Sequence, residues 1–195
     1  KNMLKSIDYF IQSSSNGHIG SHFAVGYFFH EGKYVESNIK KSIHHYKEAS
    51  TFDNHFAKNN LGIIYRYGDG DEIQQNCGLS IAYFEESIRK FKDKVSMYNL
   101  AHIYIYEDKN KSRLMNSIKL LIESINLYFP PSAYLLCIAL IKQFGFNIDK
   151  ISEELSKLIN HSSKLLNLIY TMIISKKLLF KPIYEHYHIS YNNYY

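Results

Sequence analysis

Ten histidines in 195 residues are the side chains of this chain best suited to chemistry. His18 and His22 stand four apart, the interval at which a helix places two imidazoles on one face as metal ligands. No third ligand follows at a usable interval and the pair straddles a helix start, so no metal site is expected. His44 and His45 are adjacent and face different ways on a helix, which makes them the edge of a polar face. His186 and His188 lie near the C-terminus. Asp69, Gly70, Asp71 and Glu72 gather acid in one loop, but the loop lacks the ligand series and the twelfth-position glutamate of a calcium loop, and it reads as a solvated turn. No GxGxxG, GxxxxGK[ST] or GxSxG motif is present. No catalytic residue and no cofactor are expected.

The elements that would position these side chains are written in two alternating phrases. The first is Ser-Ile followed by an aromatic or Leu and then a small residue: Ser6-Ile7 with Phe10 and Ser13, Ser42-Ile43 with Tyr46 and Ala49, Ser80-Ile81 with Phe84 and Ser87, Ser117-Ile118 with Leu121 and Ser124. The serines are 36, 38 and 37 residues apart. The second phrase runs Ser21, Val25, Gly26, Phe29, Gly32, then Ala57, Leu61, Gly62, Tyr65, Gly68, then Ser96, Leu100, Ala101, Tyr104, then Ser132, Leu136, Cys137, Leu140. Both follow helical spacing. Each unit is therefore two helices, A and B, and a fixed period of this length marks a solenoid whose units bury their apolar faces by stacking.

The small positions have a packing cause. Where two helices cross closely, one must offer a side chain without bulk. Gly26, Gly62, Ala101 and Cys137 are that notch on the A helices, and Ala49, Ser87 and Ser124 on the B helices. A glycine in a helix interior costs about 1 kcal/mol against alanine, so its recurrence at matching positions argues for the crossing. Gly32 and Gly68 are C-terminal glycines of A helices. The third unit has Glu107-Asp108 at that point, so its turn must differ.

Ala57-Lys-Asn-Asn-Leu61-Gly62-Ile-Ile-Tyr65-Arg-Tyr-Gly68, continued by Ser80-Ile81-x-x-Phe84-x-x-Ser87, resembles the SEL-one-like repeat, a relative of the tetratricopeptide repeat. Tetratricopeptide units have about 34 residues, and the longer units here favour the SEL-one-like variant. The resemblance covers roughly residues 3–145. It implies an all-α, right-handed superhelical solenoid of α/α hairpins that scaffolds other proteins, with no catalytic residues common to the family. The cysteine pattern of its disulfide-bearing secreted members is missing.

Helices are expected near 3–14, 19–31, 38–50, 55–67, 77–91, 94–106, 112–127, 131–144 and 149–160, with Pro130-Pro131 opening the eighth. The domain reading is a B helix of a preceding partial repeat over 1–17, repeats over about 18–53, 54–92, 93–128 and 129–160, and a capping helix with a Tyr-rich tail over 161–195. The apolar run 165–180 is shorter than the roughly 20 residues a bilayer needs and contains Lys176 and Lys177, so it reads as a buried helix. The chain opens at Lys1 inside a B phrase, from which a piece of a longer repeat protein is expected.

With the seam residues turned inward, the side chains left on the concave A-helix face are Phe23, Tyr27 and His30 in the first unit, Asn59, Ile63, Arg66 and Tyr67 in the second, Tyr98, His102 and Tyr106 in the third and Tyr134 in the fourth. Tyr and Arg are favoured at interface hot spots, so this row suits a protein or peptide partner. The same aromatics also suit gap-filling between neighbouring A helices. A spacer or weakly self-associating module is the alternative function. The net charge of +5 is spread along the chain with no basic block, which argues against nucleic acid. Cys77 and Cys137 form no disulfide framework, which fits a reducing, cytoplasmic setting.

Overall fold

The computed structural model describes residues 2–69, 72–108, 112–145 and 147–158. The expected capping helix and Tyr-rich tail over 161–195, with His186 and His188, lie outside these residues. The described chain is all-α: α1 (Asn2–Ser15), α2 (Ile19–Glu31), α3 (Ile39–Thr51), α4 (His55–Tyr67), α5 (Cys77–Phe91), α6 (Lys94–Tyr106), α7 (Leu114–Asn126), α8 (Pro131–Phe144) and α9 (Ile148–Leu158). The only extended pairing among the described residues is an isolated bridge between Asp69 and Ile73.

These residues divide into two compact units, 2–91 and 92–158. In the first, α2 pairs with α3 and α4 with α5, while α1 packs on α2 and α3 on α4. Its core joins Ile39, Ile43, Tyr46 and Ala49 of α3 to Ala57, Leu61 and Ile64 of α4. In the second, α6 pairs with α7, α7 packs on α8, and α8 meets α9. Leu114, Ile118, Leu121, Leu136, Leu140, Ile151 and Leu155 are among its buried apolar residues.

The notch positions work as the sequence requires. A Cβ added at Gly62 would lie 2.6 Å from Phe84 Cε1, and one at Gly26 would lie 2.8 Å from Tyr46 Cδ1. Each B-helix ring therefore sits where the A helix has only backbone, and Ser80 Oγ donates to the Gly62 carbonyl at 2.7 Å. Ala101 and Cys137 are buried at the same register, as are Ala49, Ser87 and Ser124. Where a B helix meets the next A helix, small residue faces small residue. Ser21 Oγ donates to Ser13 Oγ at 2.9 Å, and Ser132 Oγ to Ser124 Oγ at 2.8 Å.

Turns repeat as faithfully as helices. The B helices α1, α3, α5 and α7 each end on a left-handed residue, Gly17, Asp53, Lys92 and Tyr128, with φ of 82°, 61°, 49° and 60°. At three of them a Schellman motif satisfies the last carbonyls. His18, Asn54 and Phe129 N–H donate to Ser13, Ala49 and Ser124 at 3.0, 3.2 and 3.1 Å. Those acceptors are the B-helix notch residues, so one small position serves both the crossing and the turn. Helix starts are capped by side chains the sequence reading did not single out. Asn38, Asn54, Asn76 and Asn147 each accept from a backbone N–H three residues on, and Asp93 accepts from Val95 and Ser96. Gly32 caps α2 in the left-handed region at φ 64°. Glu107 ends α6 at φ −108° without it, the different turn anticipated there.

Candidate functional site: the A-helix faces

The expected concave row resolves into three environments. Asn59, Ile63 and Arg66 of α4 and Tyr98 of α6 are buried. Phe23, Tyr27, His30, His102 and Tyr134 are half-buried. Tyr67 and Tyr106 are exposed, at 48% and 49%. In unit 2–91, Phe23 lies 5.8 Å from Tyr46 and 5.7 Å from Phe56, ring centroid to centroid. It thus joins α2, α3 and α4, a packing role. His30 meets the Tyr46 ring edge-on at 6.1 Å. Burial pushes the Tyr27 and Tyr46 hydroxyls above the ordinary phenol range, and Asn60 Nδ2 donates to Tyr46 Oη at 3.1 Å.

Tyr67 is the last residue of α4, and the Arg66 guanidinium carbon lies 4.9 Å from its ring centroid. Tyr106 is the last residue of α6, with the His102 ring at 4.4 Å and Lys142 Nζ at 4.3 Å from its centroid. The Lys142 ammonium also donates to the Ile105 carbonyl at 3.0 Å, a cation placed on the C-terminus of α6 where the helix dipole favours it. The two tyrosines occupy one repeat position, each backed by a cation within the range of a cation–π contact.

Two clusters of unit 2–91 escaped the sequence reading. Lys58, fully inside α4, donates to Glu86 Oε1 at 2.7 Å and to Asp53 Oδ1 at 3.3 Å, and Lys90 closes the group on Asp53. The Lys58 hydrogen bond holds the Glu86 carboxyl below its usual range. The second cluster re-pairs the histidines. His18 Nδ1 lies 3.2 Å from Ser21 Oγ, while His22 Nδ1 meets His45 Nδ1 of α3 at 3.0 Å. Burial first, then His22 and His44, lowers His45 to about 4. No spacing rule links residues 22 and 45; only the repeat register, which sets both beside the Gly26 crossing, signals the pair. Among the described residues no cluster of three or more histidine, cysteine or acidic side chains is placed to hold a metal ion. Cys77 and Cys137 are free thiols, and burial pushes Cys137 up to about 12, leaving it inert at neutral pH.

The repeat spacing, the glycine notches and the recurring turns have a known counterpart. The Sel1 repeat pattern matches residues 20–51, 55–90 and 94–108. Residues 20–108 are Sel1 repeats. The fold is shared with the crystal structure of c5321, a protective antigen of uropathogenic Escherichia coli displaying an SLR fold, at a TM-score of 0.64 and 19% identity over 72% of this chain and 29% of that one. It is shared as well with a Sel1 repeat protein from Oxalobacter formigenes, at a TM-score of 0.66 and 12% identity over 90% of this chain and 64% of that one. At these identities the likeness is one of fold, and the chain spans less than two thirds of either relative. No curated protein sequence matches the chain. Sel1 repeats are in general a non-catalytic scaffold fold for protein interaction. No described helix is long and apolar enough to cross a membrane.

Proposed function

We propose that this chain is a scaffold segment that binds protein, taking a peptide of its partner along the A-helix faces. The observation that carries this reading is the matched pair Tyr67 and Tyr106. Each ends an A helix, keeps about half its surface in water and rests on a cation. An aromatic anchor of this kind loses little side-chain entropy on binding, and Tyr and Arg dominate interface hot spots. Within residues 2–91 Asn59, Ile63 and Arg66 are buried and Phe23, Tyr27 and His30 half-buried on their A helices; within residues 92–158 Tyr98 is buried and His102 and Tyr134 half-buried.

Panning a random peptide library on the purified chain tests this. Peptides selected on the wild type should bind the Tyr67→Ala/Tyr106→Ala variant at least tenfold more weakly, with its melting temperature within a degree or two of wild type. Equal binding by both proteins, or no selected peptide, would remove the groove reading.

A further inference from the structure

We propose that His22 and His45 form a two-histidine chelate for a divalent late transition-metal ion of the zinc, nickel or copper class, clamped across the α2/α3 hairpin. Their Nδ1 atoms are 3.0 Å apart. Two imidazole nitrogens bound at about 2.0–2.1 Å to one ion are separated by ~2.9 Å at a right angle and ~3.4 Å at the tetrahedral angle. The pair is thus already set at the separation a chelate needs, and a shift of a few tenths of an ångström spans the whole range.

The backbone fixes this geometry. His22 precedes the Gly26 notch by one turn, and His45 adjoins Tyr46, whose ring fills that notch. The Gly26–Tyr46 contact between α2 and α3 is therefore beside the two imidazoles. The Phe29 ring stacks on His45 at 6.2 Å with 14° between planes, which limits rotation of the ligand. The repeat register singles out this hairpin. The positions of His22 and His45 are held by Lys58 and Tyr83 in the second unit and by Met97 and Leu120 in the third, so no other copy there offers two imidazoles.

Both rings are half-buried, open enough for water to complete the coordination shell. Glu48, one turn beyond His45, favours a cation, and Lys41 opposes it. Without metal, one Nδ1–H donates to the other Nδ1. On binding, the donor ring moves that proton to Nε2 through solvent and both Nδ1 lone pairs face the ion, so two neutral rings release no net proton.

The test uses the metal-stripped, tag-free whole chain with Ni2+ as probe, since nickel stands high in the affinity order for nitrogen donors. Ni2+ should raise the melting temperature of the wild type, reversibly with chelator. His22→Gln and His45→Gln should each weaken binding at least tenfold in calorimetry, while His18→Gln and His44→Gln bind as wild type. Cu2+ electron paramagnetic resonance on the wild type should show coupling to two imidazole nitrogens, which decides the matter even where a glutamine variant folds poorly. No thermal shift with wild type, undiminished binding by His22→Gln or His45→Gln, or a copper spectrum without two imidazole nitrogens would overturn the proposal and leave the pair as a hydrogen bond.

Discussion

The first two hairpins close differently from the third. In α2/α3 and α4/α5 the A helix offers glycine and the B helix an aromatic ring, Gly26 with Tyr46 and Gly62 with Phe84. In α6/α7 the same two positions hold Ala101 and Leu121, both fully buried. What is held constant is the combined volume across the crossing. A glycine costs its helix about 1 kcal/mol, but it admits a buried ring whose transfer from water is worth about 1.5–3 kcal/mol. Alanine with leucine reaches a comparable balance with less strain on the helix and a smaller knob. The difference also has an electrostatic side. The glycine hairpins carry the His22–His45 contact and the Lys58, Asp53 and Glu86 group. In residues 92–158 the fourth notch is Cys137, which stays neutral under ordinary conditions.

The sharpest way to break this comparison is Gly62→Leu. Three Phe84 ring atoms lie within 3 Å of where its Cβ would stand, so overpacking should cost about 3 kcal/mol, read as a lower urea midpoint at unchanged slope. A midpoint equal to wild type would mean the ring does not need the notch. Ala101→Gly should cost about 1 kcal/mol, the helix-propensity term alone, because Leu121 does not grow to fill the space. A loss near that of Gly62→Leu would show that the third hairpin is as tightly fitted as the second. A smaller, opposite change is expected at the turns. Tyr128 is 89% exposed and holds the left-handed conformation that Gly17 supplies in the first turn. Tyr128→Gly should therefore stabilise by about 0.5–1 kcal/mol, because the left-handed penalty exceeds the added entropy of the unfolded chain.

The last prediction is a shallow dependence on pH, measured in the presence of chelator. His45 titrates near 4 when folded and near 6.5 when unfolded. The unfolded chain therefore binds more protons between these values, and stability falls as pH drops through that window, levelling below it. Glu86 is held below its usual range, so its contribution is present above about 4.5 and is lost as pH falls further. Hydrogen exchange should show α2 and α3 losing protection before α6 and α7, and His45→Gln should flatten the slope between 6.5 and 4. Equal loss in both units would contradict the electrostatic half of the comparison.

Much of this architecture was legible because two short phrases carry it. The bounds expected for α2, α4, α5, α6 and α8 coincide with those observed, since the notch, the knob and the terminal glycine each fix a register. The candidate face was less legible. Periodicity places Asn59, Ile63 and Arg66 off the Leu61–Gly62 seam, but it does not say how wide an arc is buried. In α4 that arc is nearly the full circumference and includes Lys58, Asn59 and Asn60, because the helix has neighbours on more than one side. Polar side chains survive there because partners in other elements receive them, as Tyr46 receives Asn60 and Glu86 receives Lys58. The left-handed turn residues were hidden for a different reason. Asp53, Lys92 and Tyr128 share no chemistry with Gly17, only a position 36, 39 and 36 residues along.

The crossing itself is tested most directly by a double-mutant cycle on Gly62→Ala and Phe84→Leu, which rebuilds the second hairpin as a copy of the third. The account predicts that Gly62→Ala destabilises the wild type despite alanine's better helix propensity, and that in the Phe84→Leu background it is neutral or stabilising. The coupling energy should then be at least about 1 kcal/mol. Effects that simply add, within about 0.3–0.5 kcal/mol, would contradict the claim that notch and knob close each hairpin.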